Sequence, residues 1–531
     1  MQATNVPDRP DDAHHNRPRR RPSVSRVARC LVLAGLLLGG CTSLPKDYPR
    51  TTSVAYPDHA STAIGRYIDK ASVQHLGKSG FAITRYGRNA FTARVAATEL
   101  AEKTLDLQYY IWEPDATGRL LAERLLRAAD RGVRVRVLLD DMNFQGRDAV
   151  LASLDAHPNI EIRIFNPFAR RGARGLDFLT DFKRVNHRMH NKMLVMDNTL
   201  AIVGGRNIGD HYFGVHTEAN FRDLDITAAG PVVREVSAVF DHFFNGDWAV
   251  PISVLMDHTY GREDLQAARA TLREHIAAEP YPYPIDEDTA GLKSTLEAEI
   301  DDLVWAPGRI VWEDPAQIVA TGGTSQMLEA LHRRLGRLET ELLIESPYFV
   351  PRDRGIRRAK ELHDRGVRIR VLTNSLASND VLAAHAGYAG RRKQVLESGV
   401  ELYELRADAG AIRKRIADFG AKAALHAKVI VFDREDVFVG SFNLDPRSAD
   451  INTEAGLYVE SPELAAEVIA WMDEGVLPIN SYRVLLDANG DLQWVTTYEG
   501  EEVRFDTDPD STAWQRFVTG FIGILPVEEQ L

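Results

Sequence analysis

The sequence predicts an α/β protein of two related domains, each a mixed β-sheet flanked by helices. Three observations predict it. Strand-like Leu107-Gln108-Tyr109-Tyr110-Ile111, a helical Arg119 to Arg131 and the alternating Val133-Arg134-Val135-Arg136-Val137-Leu138-Leu139-Asp140 find counterparts in Leu343 to Phe349 and Arg365-Gly366-Val367-Arg368-Ile369-Arg370-Val371-Leu372. Each passage leads to a continuous apolar run, Met193 to Met196 and Val429 to Phe432, as suits a strand covered on both faces. The polar residues around those runs keep one spacing: His190 and His426, Lys192 and Lys428, Asp197 and Asp433, and Asn207 and Asn443 each lie 236 positions apart. A repeat on this scale is a repeat of domains, and one that preserves reactive side chains points to a shared site.

Taken in chain order, residues 1–40 read as a secretion signal: Arg19, Arg20, Arg21, Arg26 and Arg29 precede the apolar run Leu31 to Leu38. Leu38-Gly39-Gly40-Cys41 resembles the bacterial lipobox, which implies lipidation of Cys41. Thr42, in place of an aspartate, then implies passage to the outer membrane, with the protein on its periplasmic face. The apolar run is short for a bilayer span. Cys30 and Cys41 are the chain's two cysteines, so the processed chain holds no disulfide. Residues 41–70 read as a tether, 71–250 as the first domain, 251–320 as a helical insertion or linker (Glu263 to Ala277, Leu292 to Leu303), and 321–480 as the second domain. Residues 481–531 read as a hairpin around Asn489-Gly490 and an amphipathic helix from Trp514 to Leu525. Its Trp514, Phe517, Val518, Phe521 and Ile522 are expected to pack on the body, lipid contact being the lesser alternative.

Composition narrows the function. A chain of 531 residues that is 44% hydrophobic and 26% charged is globular, and its formal charge of -12 disfavours broad electrostatic capture of nucleic acid. Side chains alternate along a strand, so His190 and Lys192 share a face, as do His426 and Lys428, and both pairs would project into a cleft between the domains. Such a site suits a phosphodiester. Lys192, Lys428, Asn207 and Asn443 supply donors, one neutral histidine attacks phosphorus, and the other, protonated, releases the leaving alcohol. Carboxylates should orient both rings. Asp223 is the candidate for His190 and Glu454 for His426; aligning Pro231 with Pro462 sets the two acids opposite one another. Asp197 and Asp433, beyond the apolar runs, read as structural supports. Gly204-Gly205 and Gly440-Ser441 read as turns that bring backbone close to phosphate, with one hydroxyl contact, that of Ser441, absent from the first copy. Lysine is no ordinary ligand and no cysteine cluster or His-Glu helix motif occurs, so the scheme calls for no metal and no cofactor.

At these residues the chain resembles the phospholipase D superfamily, whose signature is two His-x-Lys-x4-Asp motifs, each followed by Gly-x-x-Asn, and within it the bacterial cardiolipin synthases of the C-type class. The resemblance includes Gln108 to Trp112, Gly204 to Asp210 and Gly440 to Ser448. It implies two pseudo-twofold-related domains with an active site at their interface and a phosphohistidine intermediate. It carries His190, Lys192, Asp197, His426, Lys428 and Asp433 over as the catalytic signature, with His190 as nucleophile and His426 as acid and base. The implied activity is transfer of a phosphatidyl group between phospholipids, the substrates being phosphatidylglycerol and phosphatidylethanolamine. The rival readings are a phospholipase D that gives the group to water and a nuclease of the same superfamily. No partner protein is legible.

Overall fold

The computed structural model describes residues 44–523 except 46, 286–287, 318–325, 410–411 and 413–420. The signal segment and Cys41 lie outside the described residues. The body, from Pro45 onward, forms one compact unit.

The first sheet is built from β1 (Ser79–Thr84), β2 (Thr104–Tyr109), β3 (Arg134–Asp140), β4 (Ile160–Phe165), β5 (Met193–Met196), β6 (Leu200–Gly204), β8 (Asp225–Ala229), β9 (Ala249–Pro251) and β10 (Val304–Ala306). β7 (Ala219–Arg222) lies apart from it. The order is β10-β1-β8-β6-β5-β2-β3-β4-β9. The second sheet follows with β11 (Gly308–Trp312), β12 (Glu341–Glu345), β13 (Arg368–Asn374), β14 (Glu401–Leu405), β16 (Val429–Phe432), β17 (Asp436–Gly440), β18 (Ala455–Glu460), β19 (Ser481–Leu486), β20 (Leu492–Tyr498) and β21 (Glu501–Phe505), with β15 (Lys422–Leu425) apart. Its order is β11-β18-β17-β16-β12-β13-β14-β19-β20-β21. The run β8-β6-β5-β2-β3-β4 thus reappears as β18-β17-β16-β12-β13-β14: two mixed sheets with one topology, as the repeat predicts.

Helices flank each sheet. α1 (Gly87–Leu100), α2 (Ala116–Asp130) and α3 (Asp148–Asp155) cover the outer face of the first, while α4 (Pro231–Asn245) turns Val233, Val236 and Phe240 to the inner side. α5 (Arg262–Ala278) and α6 (Thr289–Asp301) come from the segment between the repeats, and α5 packs on α2 and α3. In the second half α7 (Asp353–Asp364) is outer and α9 (Pro462–Gly475) inner; α8 (Leu382–Ala389) follows β13. α4 and α9 share one hydrophobic core with the inner faces of both sheets, including Val195, Val203, Val431 and Val439. The halves are therefore joined by a common core, which holds the two signatures in fixed relation.

The structure alters four expectations. The stretch read as a tether is strapped to the first half from Arg50 onward: Arg50 pairs with Asp247, Ser53 N–H donates to Asn245 Oδ1 (3.0 Å), and Ala55 N–H donates to Asp241 Oδ2 (2.7 Å). The buried Arg136 and Arg163 also donate to the Ser53 and Thr51 carbonyls, so charged groups of the body satisfy the strap's backbone. The segment between the repeats is not wholly helical, since β10 edges the first sheet and β11 the second. β19 to β21 extend the second sheet through β14, so the C-terminal hairpin is part of that domain's sheet. Finally, α10 (Ala513–Ile522) does not bury its aromatic face: Trp514, Phe517 and Phe521 are 70%, 64% and 58% exposed. The helix rests on α8 by its other side, which leaves these three, at i, i+3 and i+7, without cover.

Candidate active site

Each histidine stands where the two halves pair backbone with backbone. In one place β7 runs parallel to β15, with Arg222 opposite Leu425. In the other Met189 bridges Thr453, again in parallel. The next residues along these four strands are Asp223 and His426, and His190 and Glu454. Register therefore crosses the carboxylates: His190 Nδ1 lies 2.9 Å from Glu454 Oε2, and His426 Nδ1 lies 2.7 Å from Asp223 Oδ2. The pairing expected within each half is overturned, because parallel pairing between the halves sets each acid beside the other half's histidine. With a carboxylate as acceptor, each Nδ1 carries hydrogen and each Nε2 keeps its lone pair.

The half-sites differ around this common plan. Beside His190, the Ser441 carbonyl accepts from Nδ1 (3.1 Å), the Ser441 hydroxyl donates to Glu454 Oε2, and Ala455 N–H donates to Ser441 Oγ (3.0 Å). Ser441 thus holds Glu454, with its hydroxyl hydrogen engaged there. Beside His426, Leu224 N–H donates to Asp223 Oδ1 (2.8 Å). A Cβ on Gly205 would lie 2.2 Å from Asp223 Oδ1, and one on Gly204 2.1 Å from Asp225 Oδ1. These glycines are close-approach positions at the end of β6 and not turns; they admit the carboxylates of the neighbouring chain.

Lys192 and Lys428 each donate to the carbonyl of the preceding histidine of their motif (2.5 Å), and Lys428 Nζ also lies 3.1 Å from Nδ1 and Nε2 of His426. Asn207 is held on both sides: its Oδ1 accepts from Ile111 N–H (3.1 Å) and one of its two Nδ2 hydrogens goes to the Tyr212 hydroxyl (3.0 Å). Asn443 is buried with an unpartnered Oδ1. Asp197 accepts from the N–H groups of Glu102, Lys103 and Thr104 at 2.9, 2.8 and 2.7 Å. Asp433 does the same for Glu339, Thr340 and Glu341 and pairs with Arg334. Both aspartates clamp the start of the neighbouring strand, far from proton transfer. Each also takes a positive φ (52°) in the hairpin turn that follows the signature strand.

The electrostatics show convergence. Burial pushes the His190 imidazole well below its ordinary range, and the charges of Lys192 and Lys428 push it further. His426 is lowered to about 4 by burial and Lys428, with Lys192 adding and Asp223 opposing. Both lysines thus act on both rings, and both are themselves depressed by burial, Lys428 to about 8. The acids part company. Burial raises Glu454 to about 7, whereas His426, Arg206 and Lys428 overcome burial and hold Asp223 at about 2.

Two aromatic neighbours carry no repeat signal. The Tyr110 ring meets His190 edge-on at 5.0 Å and lies 5.4 Å from Lys192 Nζ; Tyr212 meets His426 edge-on at 5.1 Å. Neither has a tyrosine at the matching place in the other half, so a search for duplicated residues passes over them. Arg188, paired with Asp140 (3.3 Å), and Arg222, paired with Glu345 (3.3 Å) and lying 3.7 Å over the Trp471 ring, brace the two crossing segments. Arg222 ends β7 and signals itself as a charge within a strand, whereas Arg188 lies outside the strands and has no such signal.

Paired His–Lys half-sites at the interface of two sheets of one topology define a phospholipase D-like protein. The chain belongs to the family described as cardiolipin synthase, PLD-like domain, whose model matches residues 96–248 and 331–475. It is 40% identical to cardiolipin synthase C of Escherichia coli (strain K12) over 86% of this chain and 97% of that one. It is 30% identical to an uncharacterized protein of Helicobacter pylori (strain J99) over 94% and 99% of the respective chains. Phosphatidylserine synthase of Haemophilus influenzae shares the fold, with a TM-score of 0.55 at 12% identity over 87% of this chain and 100% of that one.

Proposed function

We propose that this protein transfers a phosphatidyl group from one phospholipid to a hydroxyl of another, forming cardiolipin, through a phosphohistidine on His190. The observation that carries the reading is the crossed pair of buried His–carboxylate couples, each with its own lysine. His190, its imidazolium disfavoured by burial and the two lysines, is neutral and presents Nε2 to phosphorus; its Nδ1–H is held by two acceptors. As the phosphorus–oxygen bond to the leaving alcohol breaks, His426 donates the proton: burial and Lys428 oppose its imidazolium, and the ionised Asp223 together with the negative charge of the bound phosphodiester favours it. The acceptor hydroxyl then attacks the phosphohistidine, returning its proton to His426 and freeing His190. Lys192 and Lys428, both buried, offset the phosphoryl charge.

Kinship with cardiolipin synthase C supports cardiolipin as the product; phosphatidylglycerol as acceptor and phosphatidylethanolamine as donor rest on the resemblance of the motifs to the C-type class. The signal-like Arg19 to Leu38 and Cys41 support a lipid-anchored protein on the periplasmic face of the outer membrane, and the exposed Trp514, Phe517 and Phe521 support contact with a membrane surface. No described helix is long and apolar enough to cross a membrane. The test is to incubate purified protein with phosphatidylglycerol, with and without phosphatidylethanolamine, and separate the lipids. Cardiolipin is expected; phosphatidic acid without cardiolipin would assign a hydrolase instead.

A further inference from the structure

A cavity of about 240 Å³ lies under the outer helices of the first half, between β3 and β4 on one side and α2, α3 and α5 on the other. Its walls are aliphatic, with Leu126, Val135, Ile160 and Leu272 deep in it, and charge occurs at one end, where Glu113, Arg119 and Arg147 stand. The cavity is open to solvent along part of its wall, so its aliphatic lining stays in contact with water and gains by being covered with something apolar. The charged end adjoins the active site. Trp112, which lines the cavity, is two residues, about 7 Å of extended chain, from the Tyr110 ring that meets His190. Arg147 donates to the Trp112 carbonyl (2.5 Å) and to Glu113 (3.2 Å), which fixes the charged residues beside Trp112.

The geometry points to an acyl-chain pocket: one fatty chain of the phospholipid bound at the histidine pair runs past Trp112 into this cavity. The inference rests on the phospholipid reading above and adds a site to it. It also gives a task to the segment between the repeats, whose helix α5 supplies Ala268 and Leu272 as the lid. The cavity's aliphatic lining lets long chains gain contacts that short ones lack.

Two measurements on the full-length protein test it. Phosphatidylglycerol with a diazirine at the end of one palmitoyl chain, presented in mixed micelles and photolysed, is expected to label peptides from α2, α3 or α5. Labelling confined to other surfaces would overturn the pocket, whether or not the lipid turns over. Filling the cavity with Ala268→Phe or Ala122→Phe is expected to lower kcat/KM for dioleoyl-phosphatidylglycerol about tenfold and leave dihexanoyl-phosphatidylglycerol unchanged. Equal loss on both lipids, or none on either, would overturn it too. Wild-type protein inert toward both lipids yet labelled in α2, α3 or α5 would instead sink the transferase reading and keep the pocket.

Discussion

The two half-sites share a plan and differ in the company their histidines keep. His190 faces a glutamate, fastened by a serine hydroxyl and raised by burial to about 7. His426 faces an aspartate, one methylene shorter, fastened by a backbone N–H and held at about 2 by surrounding cations. The difference teaches how a duplicated motif can divide the two proposed roles. Burial and the lysines disfavour the imidazolium at both rings, and the permanently ionised Asp223 opposes them at His426 more firmly than Glu454 does at His190.

The largest expected effect breaks the pair itself. His190→Ala and His426→Ala should each lower lipid turnover by at least ~10⁴-fold while the circular dichroism spectrum stays native. They should separate on a phosphatidyl ester of p-nitrophenol, a leaving group that needs no acid. His426→Ala should then give a burst of one p-nitrophenol per enzyme, and His190→Ala none. A burst from His190→Ala alone would exchange the roles.

Next comes the crossing. Glu454→Gln should weaken the burst step, and Asp223→Asn should leave the burst on that substrate but slow turnover of natural lipids, each by ~10²–10³-fold. The opposite assignment would mean that each acid serves the histidine of its own half.

A third test exchanges the fastenings. Gly205→Ser places a Cβ against Asp223 and should cost ~10²-fold in turnover with a lower Tm, while Ser441→Gly, which merely removes a hydrogen bond to a carboxylate, should cost about tenfold. Equal effects would erase the distinction between the two half-sites.

The smallest effect is in the pH profile. Glu454 has a folded-state pKa raised to about 7, above its ordinary 4.5, so it takes up a proton as pH falls through about 7. kcat/KM should decline there, and the limb should be missing from the residual activity of Glu454→Gln. Because the folded protein binds that proton more tightly than the unfolded chain, this group's contribution to stability rises between about pH 7 and 4.5 as activity falls. Asp223 has its folded pKa depressed, so its stabilising contribution is present above about 4 and is lost only as pH drops through about 2. A kcat/KM limb near neutrality that persists in Glu454→Gln would have another source.

Much of this was legible beforehand. The strand–helix–strand passages, the apolar runs and the duplicated His, Lys, Asp and Asn residues are local patterns, and periodicity reads local patterns well. Asp197 and Asp433 were placed as supports because the apolar strand separates them from the histidines. Tyr110 and Tyr212 were passed over because repetition was the guide and they are not repeated. The residues from Arg50 to Ala55 looked like a polar tether because nothing local records that Asp241, Asn245, Arg136 and Arg163 satisfy their backbone.

By itself the sequence determined which polar groups recur in the two halves and that two sheets of one topology carry them, since residue identity and side-chain alternation are properties of short stretches. Tertiary structure alone decided which carboxylate serves which histidine: that follows from parallel pairing of Arg222 with Leu425 and Met189 with Thr453, between segments some 200 or more residues apart. It alone decided that the aromatic face of α10 stays bare and that α5 roofs an apolar cavity beside the site. Contacts across such separations are selected by the closing of a common core, and a core forms only when both halves are present.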